Sequence, residues 1–338
     1  MKYSHILFKK TALSIFMPAV LGIPVGIGIS QPASAETIQQ KQKLGQQRVL
    51  EEVIVSARRR DESLQDVPDT VVAFGKLGIE ERGIDNLGDI NNFVPNFQLR
   101  ETQQPGVAFI NVRGVSMQRF QEPSVAILVD GVQLFSSYQI TQTLYDIEQI
   151  EILKGPQGAL YGRNAIGGAI NIQTVQPADN HSGNLRLGYA EGNKRYGRGA
   201  LRGPLYGDSV YYDLSFYYTD SDGLIDNDTL NKEVDWNESV NLRGKIIADL
   251  TEKLRADFRL SYSEQDSGAA YFFNIDSGDV NDTSFEPIND TEGFAGREML
   301  DASVRLSLDL DVGELVLTSA YSKTDDDFYQ DIDFAPIP

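Results

Sequence analysis

From Gly183 onward the chain alternates apolar and polar residues with a period of two, and this pattern limits it more than any other feature. Leu185, Leu187 and Tyr189 share one face. Val210, Tyr212, Leu214, Phe216 and Tyr218 share another, opposite Asp213, Ser215 and Thr219. The pattern repeats with Val240, Leu242, Ile246, Ala248 and Leu250 against Asn241, Arg243, Lys245 and Asp249. It repeats again at 254–262 and 302–310, where Arg255, Asp257 and Arg259, then Arg305 and Asp309, fall on the polar side. Successive strand residues point to opposite sides, so each stretch is a strand with two unlike faces. About seven such strands are expected, the last over Glu314–Lys323. Charge on one face and hydrocarbon on the other fits a barrel with a polar lumen and a lipid exterior. A soluble sandwich alternates in the same way, so periodicity alone leaves both open. The connections favour the barrel. Thr251–Lys253 and Asp311–Gly313 are tight turns, whereas Asp220–Trp236 and Gln265–Met299 are long, polar and acidic. Short turns on one side and long loops on the other mark outer-membrane barrels. Tyr and Phe near the strand ends suit an interfacial girdle.

Charge divides the chain at the same place. Residues 206–338 hold 30 acidic and 9 basic residues, so the net charge of -19 resides there. Such acidity argues against nucleic acid as a partner. Regularly spaced Tyr, Phe and Leu argue against disorder. There is no Cys, and His5 and His181 are the two His, which removes disulfide frameworks, thiolate metal sites and Cys nucleophiles.

The N-terminus reads as a secretory signal over residues 1–35. Lys2, Lys9 and Lys10 precede an apolar stretch broken by Pro18 and Pro24, and Ala33-Ser34-Ala35 offers a cleavage site. Residues 36–62 form a flexible leader, Gln-rich and without periodicity up to Leu50. Within it, Glu51-Glu52-Val53-Ile54-Val55-Ser56-Ala57 places three β-branched residues in a row, which favours extended backbone. On a loose tether such a segment can add as a strand to another protein's sheet; it can equally be the first strand of the next domain.

Residues 63–178 read as a small, loop-rich, mixed α/β domain. Apolar residues at helical spacing between Lys76 and Phe93 predict one or two short helices, with Gly78, Gly83 and Gly88 as interruptions. Phe109–Val112 and Ser124–Val129 read as strands. Asp130-Gly131 before Val132–Phe135 is a hairpin signal. Ile147–Leu153 fits either a short helix or a strand. Lys154-Gly155-Pro156-Gln157-Gly158 is a tight turn, and Ala169–Thr174 closes the domain as a strand. The Gly-rich run is no phosphate loop, since Lys154 precedes its glycines and a strand follows them. No nucleophile pattern surrounds His181, and the acidic loops lack an EF-hand pattern. No catalytic, cofactor-binding or metal-binding residue is therefore assigned.

In this order of blocks the chain resembles the TonB-dependent outer-membrane receptors. Glu51–Ala57 resembles the TonB box. Leu64-Gln65-Asp66-Val67-Pro68 resembles the opening of the plug domain, and Val94-Pro95-Asn96-Phe97 and Val112-Arg113-Gly114-Val115 its middle. Glu122–Ala126 and Val129–Val132 follow, and the longest block runs from Leu144 to Ile172 through Lys154-Gly155-Pro156-Gln157-Gly158. Ser56 stands where Thr is usual and keeps the hydroxyl.

The resemblance implies a plug (63–178) inside a transmembrane β-barrel, of which 183–338 is the N-terminal part: about seven of an expected 22 or so strands. Open strand edges are costly in hydrocarbon, so the sequence reads as truncated, and the fragment alone is not expected to form a pore. The leader before the box, at 36–50, is too short for an extra signalling domain. The implied partners are TonB with its inner-membrane energising complex, outer-membrane lipid and a small-molecule cargo such as an iron-siderophore complex. Cobalamin, a carbohydrate or a non-transporting remnant are the alternatives. The implied location is the outer membrane of a Gram-negative-type bacterium. TonB contacts are expected at Glu51, Glu52, Val53, Ile54, Val55, Ser56 and Ala57. Arg113, Arg119 and Arg163 are the charged plug residues expected to bridge to the barrel wall or meet cargo, and apex loops 102–107, 116–122 and 135–141 are expected to face it.

Overall fold

The computed structural model describes residues 54–56, 62–65, 67, 70–102, 104–117, 121–134, 136–269 and 286–331, which belong to one compact unit. The expected signal peptide and the polar leader up to Leu50 lie outside them. Two short antiparallel strands come first, β1 (Ile54–Val55) and β2 (Glu62–Ser63). Strand β3 (Thr70–Gly75) leads into helix α1 (Lys76–Arg82) and a 3-10 turn (Leu87–Asn92). These are the helices expected between Lys76 and Phe93. Gly83, at φ 63°, ends α1 in the left-handed conformation that glycine tolerates. Asn86 and Asp89 form a capping box that starts the 3-10 turn.

Strands β4 (Phe97–Glu101), β5 (Ala108–Val112) and β6 (Val115–Ser116) make a three-stranded sheet. The hairpin β7 (Val125–Val129) and β8 (Val132–Leu134) turns at Asp130-Gly131, both at positive φ as a two-residue primed turn requires. Strand β9 (Ile147–Lys154), a one-turn helix α2 (Gly158–Tyr161) and β10 (Gly168–Thr174) follow. A five-stranded sheet runs β3-β9-β10-β7-β8, with β10 parallel to β7 and the other pairs antiparallel.

The ambiguous Ile147–Leu153 stretch is thus a strand, because its apolar residues alternate and both its faces are buried. Ile150 and Ile152 join Ile170, Ile172 and Ile127 on one face, against Leu87, Ile90 and Ile110. Each such side chain contributes about 1.5–3 kcal/mol by leaving water. At one end of the other face, Leu153, Ala169 and Ala126 pack with Tyr161 and Ala165. Gly168 is required where the strands meet, since a Cβ there would lie 2.2 Å from the Leu153 carbonyl oxygen.

The second half is a seven-stranded antiparallel sheet in sequence order. It comprises β11 (Ser182–Tyr189), β12 (Arg195–Tyr206), β13 (Val210–Ser221), β16 (Asn237–Asp249), β17 (Leu254–Ala269), β18 (Gly293–Leu310) and β19 (Gly313–Tyr329). A small hairpin, β14 (Asp226–Asn227) with β15 (Lys232–Glu233), folds back within the 222–236 connection. The expected number of strands and their two faces are present. Leu185, Leu214, Leu242, Phe258 and Leu260 are exposed on the outer face, whereas Arg202, Asp213, Asn241, Arg243, Lys245 and Arg297 are buried on the inner one.

Two loop boundaries differ from expectation. The connection expected over Gln265–Met299 begins only after Ala269 and ends at Gly293, and the final strand runs to Tyr329 rather than Lys323. Apolar alternation stops at Tyr262 and Tyr321, but the backbone ladder continues through Glu264↔Glu298 and Glu298↔Asp325. Ladder hydrogen bonds need no apolar face, so the ribbon outlasts its hydrophobic signal.

The inner face of this wall grips the plug with cations. Arg202 bridges Asp146 of the plug (2.5 Å) and Asp213 of its neighbouring strand (2.9 Å). Arg243 donates to the Tyr145 carbonyl oxygen at 3.1 Å and stacks 4.7 Å from the Tyr145 ring. Lys245 Nζ reaches Thr174 Oγ1 and the Val175 carbonyl oxygen, each at 2.7 Å. That Thr174 hydroxyl donates onward to Asp130, which also pairs with Arg259. Higher up, Arg297 donates to the Gly106 carbonyl oxygen at 2.7 Å and pairs with Asp326. Burying a charge is costly unless it is compensated, and each of these cations meets a carboxylate, hydroxyl or carbonyl oxygen of the plug.

Arg202→Met should therefore strand the buried Asp213 carboxylate and leave Asp146 with Arg243 at 3.8 Å, loosening the plug corner at Tyr145–Asp146 by about 3–5 kcal/mol. Hydrogen exchange at Leu144–Ile147 would accelerate by roughly two to three orders of magnitude. The double variant Arg202→Met/Asp213→Leu should recover a large part of that loss, because one stranded charge goes with its partner.

Candidate coupling site and plug apex

The three described residues of the candidate coupling segment, Ile54, Val55 and Ser56, lie against the plug sheet. Alternation along β9 and β10 puts Gln149 and Glu151 beside Asn171 and Gln173, with Glu151↔Asn171 and Gln149↔Gln173 in register. These polar residues occupy the face opposite the Ile150 and Ile152 core, beyond the patch of small apolar residues. Onto them fold Ile54, Val55 and Ser56. The Ser56 backbone N–H donates to Glu151 Oε1 at 2.9 Å. Its hydroxyl accepts from Gln173 Nε2 at 2.5 Å and from Asn171 Nδ2 at 3.3 Å. Gln149 Nε2 donates to the Ile54 carbonyl oxygen at 2.8 Å and to Glu151 Oε1 at 2.8 Å. Val55 turns inward and is 2% exposed, while Ile54 is 54% exposed. Regular strand pairing here is confined to Ile54↔Ser63 and Val55↔Glu62. Glu51, Glu52, Val53 and Ala57 lie outside the described residues.

Ser56, Asn171 and Gln173 also border a cleft of about 1160 Å³ between the plug and the turn-side ends of the wall. Its rim carries Lys253, Arg255 and Asp257. The candidate coupling segment therefore sits beside open, polar space.

Of the charged plug candidates, Arg113 and Arg163 engage the plug itself. Arg113, at φ 52°, donates to Thr70 Oγ1 at 2.9 Å. Its charge and burial together hold the Lys154 ammonium below its ordinary pKa, burial being the larger cause. Arg163 pairs with Glu122 at 3.4 Å, both largely exposed. Arg119 lies outside the described residues. The bridges to the wall run the other way, from wall cations to plug oxygens.

Two of the three expected apex loops are committed to wall contacts. The 102–107 turn presents the Gly106 carbonyl oxygen to Arg297, and Gln104 Nε2 donates to Asp326 at 2.8 Å. Beside it, burial raises the Glu101 pKa and the Arg297 charge partly offsets that rise. In the 135–141 loop a capping box at Ser136 and Gln139 fixes a short 3-10 turn. Gln139 Nε2 then reaches Asp301 and Ser322, each at 2.9 Å. Beneath these contacts lies a second cleft of about 530 Å³, lined by Tyr138, Gln142, Tyr145, Asn241 and Tyr262. Residues 118–120 of the remaining loop are outside the described set. Among the described residues no group of three or more His, Cys, Asp or Glu side chains is placed to hold a metal ion.

Residues missed by sequence reasoning are Glu151, Asn171, Gln173 and Gln149 in the plug, and Arg202, Arg243 and Lys245 as its clamps. A signal existed for the first group: polar residues at alternate positions of two strands otherwise made of Ile, Leu and Ala.

Residues 63–169 match the family model described as TonB-dependent Receptor Plug Domain. The pesticin receptor of Yersinia enterocolitica is 31% identical over 207 residues, covering 61% of this chain and 29% of that receptor. The vitamin B12 transporter BtuB of Vibrio vulnificus is 32% identical over 141 residues, covering 40% of this chain and 22% of that transporter. The chain spans less than a third of the length of these curated relatives. Among solved structures, the ferric yersiniabactin uptake receptor FyuA from Yersinia pestis superposes with a TM-score of 0.70 at 22% identity, over 77% of this chain and 41% of that one. The open form of the ferric-catecholate import receptor Fiu from E. coli superposes with a TM-score of 0.65 at 20% identity, over 81% and 41%. The structures share the fold of a plug held by barrel strands, and the sequence match identifies residues 63–169 as a plug domain of the TonB-dependent receptor family.

Proposed function

We propose that this chain supplies the coupling segment, the plug and the leading wall strands of a receptor that actively imports a scarce solute across the outer membrane of a Gram-negative-type bacterium. Energy arrives from TonB and its inner-membrane complex through Glu51–Ala57. The carrying observation is the seating of Ile54–Ser56 on the sheet of a plug that wall cations grip from the side. A load on the segment is thereby delivered to the plug while the wall resists it. No chemical step is assigned to the chain.

The apolar band supports a lipid setting. Outward residues run apolar from Leu254 to Tyr262 on β17 and from Leu300 to Leu310 on β18. A tilted strand needs about 9–11 residues to cross the hydrocarbon. Above Tyr262 and Tyr321 the outward side chains become Glu264, Glu298 and Asp325, which belong in water.

For cargo, an iron-siderophore complex is the preferred reading. The structural neighbours are, by their own descriptions, receptors for ferric yersiniabactin and ferric catecholates. Similarity to vitamin B12 transporters favours cobalamin as the second reading. Parallel uptake assays with radiolabelled ferric siderophores and with labelled cobalamin separate the two.

Val55→Pro removes an amide donor from the extended segment. Uptake of the cargo should fall to the level of cells lacking TonB, while cargo binding at the cell surface persists. Uptake equal to the parent protein would remove the coupling assignment. For the membrane setting, Leu260→Arg should cost about 2–4 kcal/mol of folding into lipid, whereas Glu298→Arg, above the band, should cost about 0–1 kcal/mol. Equal effects in a vesicle-refolding titration would argue for a wall that does not cross a bilayer.

A further inference from the structure

We infer that Glu151 is a positioning residue that parks the coupling segment beneath the plug, and that its carboxylate sets how readily the segment is released. The inference rests on the proposed role of Glu51–Ala57 in coupling.

Glu151 sits in the middle of the interior strand β9 and is 0% exposed. Carboxylates are almost never buried to that degree unless paired. A leucine at this position would extend the apolar face already built by Leu153, Ala169 and Ala126. Instead the strand buries an acceptor, surrounded by amide donors aimed at it. Gln149 reaches Oε1 at 2.8 Å, Gln173 reaches Oε1 at 3.3 Å, and Asn171 reaches Oε2 at 3.2 Å. The Ser56 N–H at 2.9 Å comes from the coupling segment. The same amides that orient the carboxylate also hold the segment: Gln173 and Asn171 donate to the Ser56 hydroxyl, and Gln149 to the Ile54 carbonyl oxygen. Glu151 and its three amides form one polar socket, and Ile54–Ser56 is its occupant.

The socket is suited to reversible release. It holds the segment largely by side chains, so the segment can leave without breaking the β3-β9-β10-β7-β8 ladder. The neighbouring cleft lets water reach the carboxylate as the segment departs. The vacated charge is then hydrated rather than stranded, and the penalty for release stays small. Hydrogen bonds to a charged acceptor are also stronger than neutral ones, so removing the charge weakens every contact in the socket together.

The test uses the absence of native cysteine. Val55→Cys places a single thiol at a side chain hidden only while the segment is parked. Its maleimide labelling rate in native membranes reports release. Glu151→Gln should raise that rate roughly ten- to hundredfold, the loss of one charged hydrogen bond at the segment. Gln173→Ala, which removes one amide donor and leaves the carboxylate in place, should raise it by a smaller factor. Ala126→Cys, on the same face of the sheet and 0% exposed, monitors plug integrity and should remain unreactive in both variants. A Val55→Cys rate unchanged by Glu151→Gln and by Gln173→Ala overturns the inference. So does reactivity that rises equally at Ala126→Cys and Val55→Cys in both variants, since Glu151 and Gln173 would then support the whole sheet. Coupling is read separately, as disulfide capture of Ile54→Cys by a cysteine-bearing TonB periplasmic arm. Faster labelling without any capture leaves the parking role standing and removes the coupling reading. Capture with an unchanged labelling rate does the reverse.

Discussion

Among the described residues, the buried cations of the wall each end on an oxygen of the plug, while two plug glutamines, Gln104 and Gln139, donate the other way to Asp326 and Asp301. Arg243 takes the Tyr145 carbonyl, Lys245 the Val175 carbonyl, Arg259 the Val129 carbonyl and Arg297 the Gly106 carbonyl. Arg202 takes the Asp146 carboxylate. Plug segments that leave their sheet have carbonyls without ladder partners, and a buried orphan carbonyl is costly. Wall guanidinium and ammonium groups satisfy them. The plug can thus keep a loop-rich path inside a polar enclosure, and the wall can keep buried charges. Each half answers a demand that the other creates.

The same logic separates what is fixed from what is held lightly. Clamp residues are themselves buried, and Arg202, Arg259 and Arg297 are ion-paired, so removing one of their partners leaves a charge in a poor medium. The proposed coupling segment is held by amides and one carboxylate at the edge of a cleft, where water can replace each bond as it breaks. Both sites occupy the same pair of strands. Asp146 immediately precedes β9 and Thr174 ends β10 on the same side, and Glu151 with Asn171 lies a few residues inward. Under the proposed coupling, the clamp steadies the strands from which the segment detaches.

Much of the architecture was legible because it is written in short-range pattern. Two-residue alternation marked the wall strands, and Asp130-Gly131 marked a hairpin whose residues both adopt positive φ. Helical spacing between Lys76 and Phe93 was enough for the two short helices. Where apolar alternation ended, so did legibility. Polar ribbon above Tyr262 looked like loop, because the hydrogen bonds that extend it carry no compositional trace. The clamps were illegible for a different reason. Arg202 and Asp146 lie 56 residues apart, and each looks like an ordinary charged residue until the sheet curves around the plug. The socket stood between these cases. The Ile150-Glu151-Ile152 alternation was visible, but which residues face Glu151 depends on the antiparallel register with β10.

Register also decides where a load would enter. Strand β3 lies at the edge of the five-stranded sheet, and its first residue, Thr70, pairs with Lys154. Lys154 is the last residue of β9, whereas the Asp146 clamp precedes its first residue, Ile147. Under the proposed coupling, a pull on the parked segment first empties the Glu151 socket and then reaches the sheet at Thr70, the end of β9 remote from the clamp. An antiparallel edge strand loaded at its terminus can give way one pair at a time, whereas the clamped end resists through several charged bonds at once. The molecule therefore places its most replaceable contacts nearest the pulled end and its least replaceable ones farthest from it. That ordering lets the plug yield locally while the wall keeps its hold.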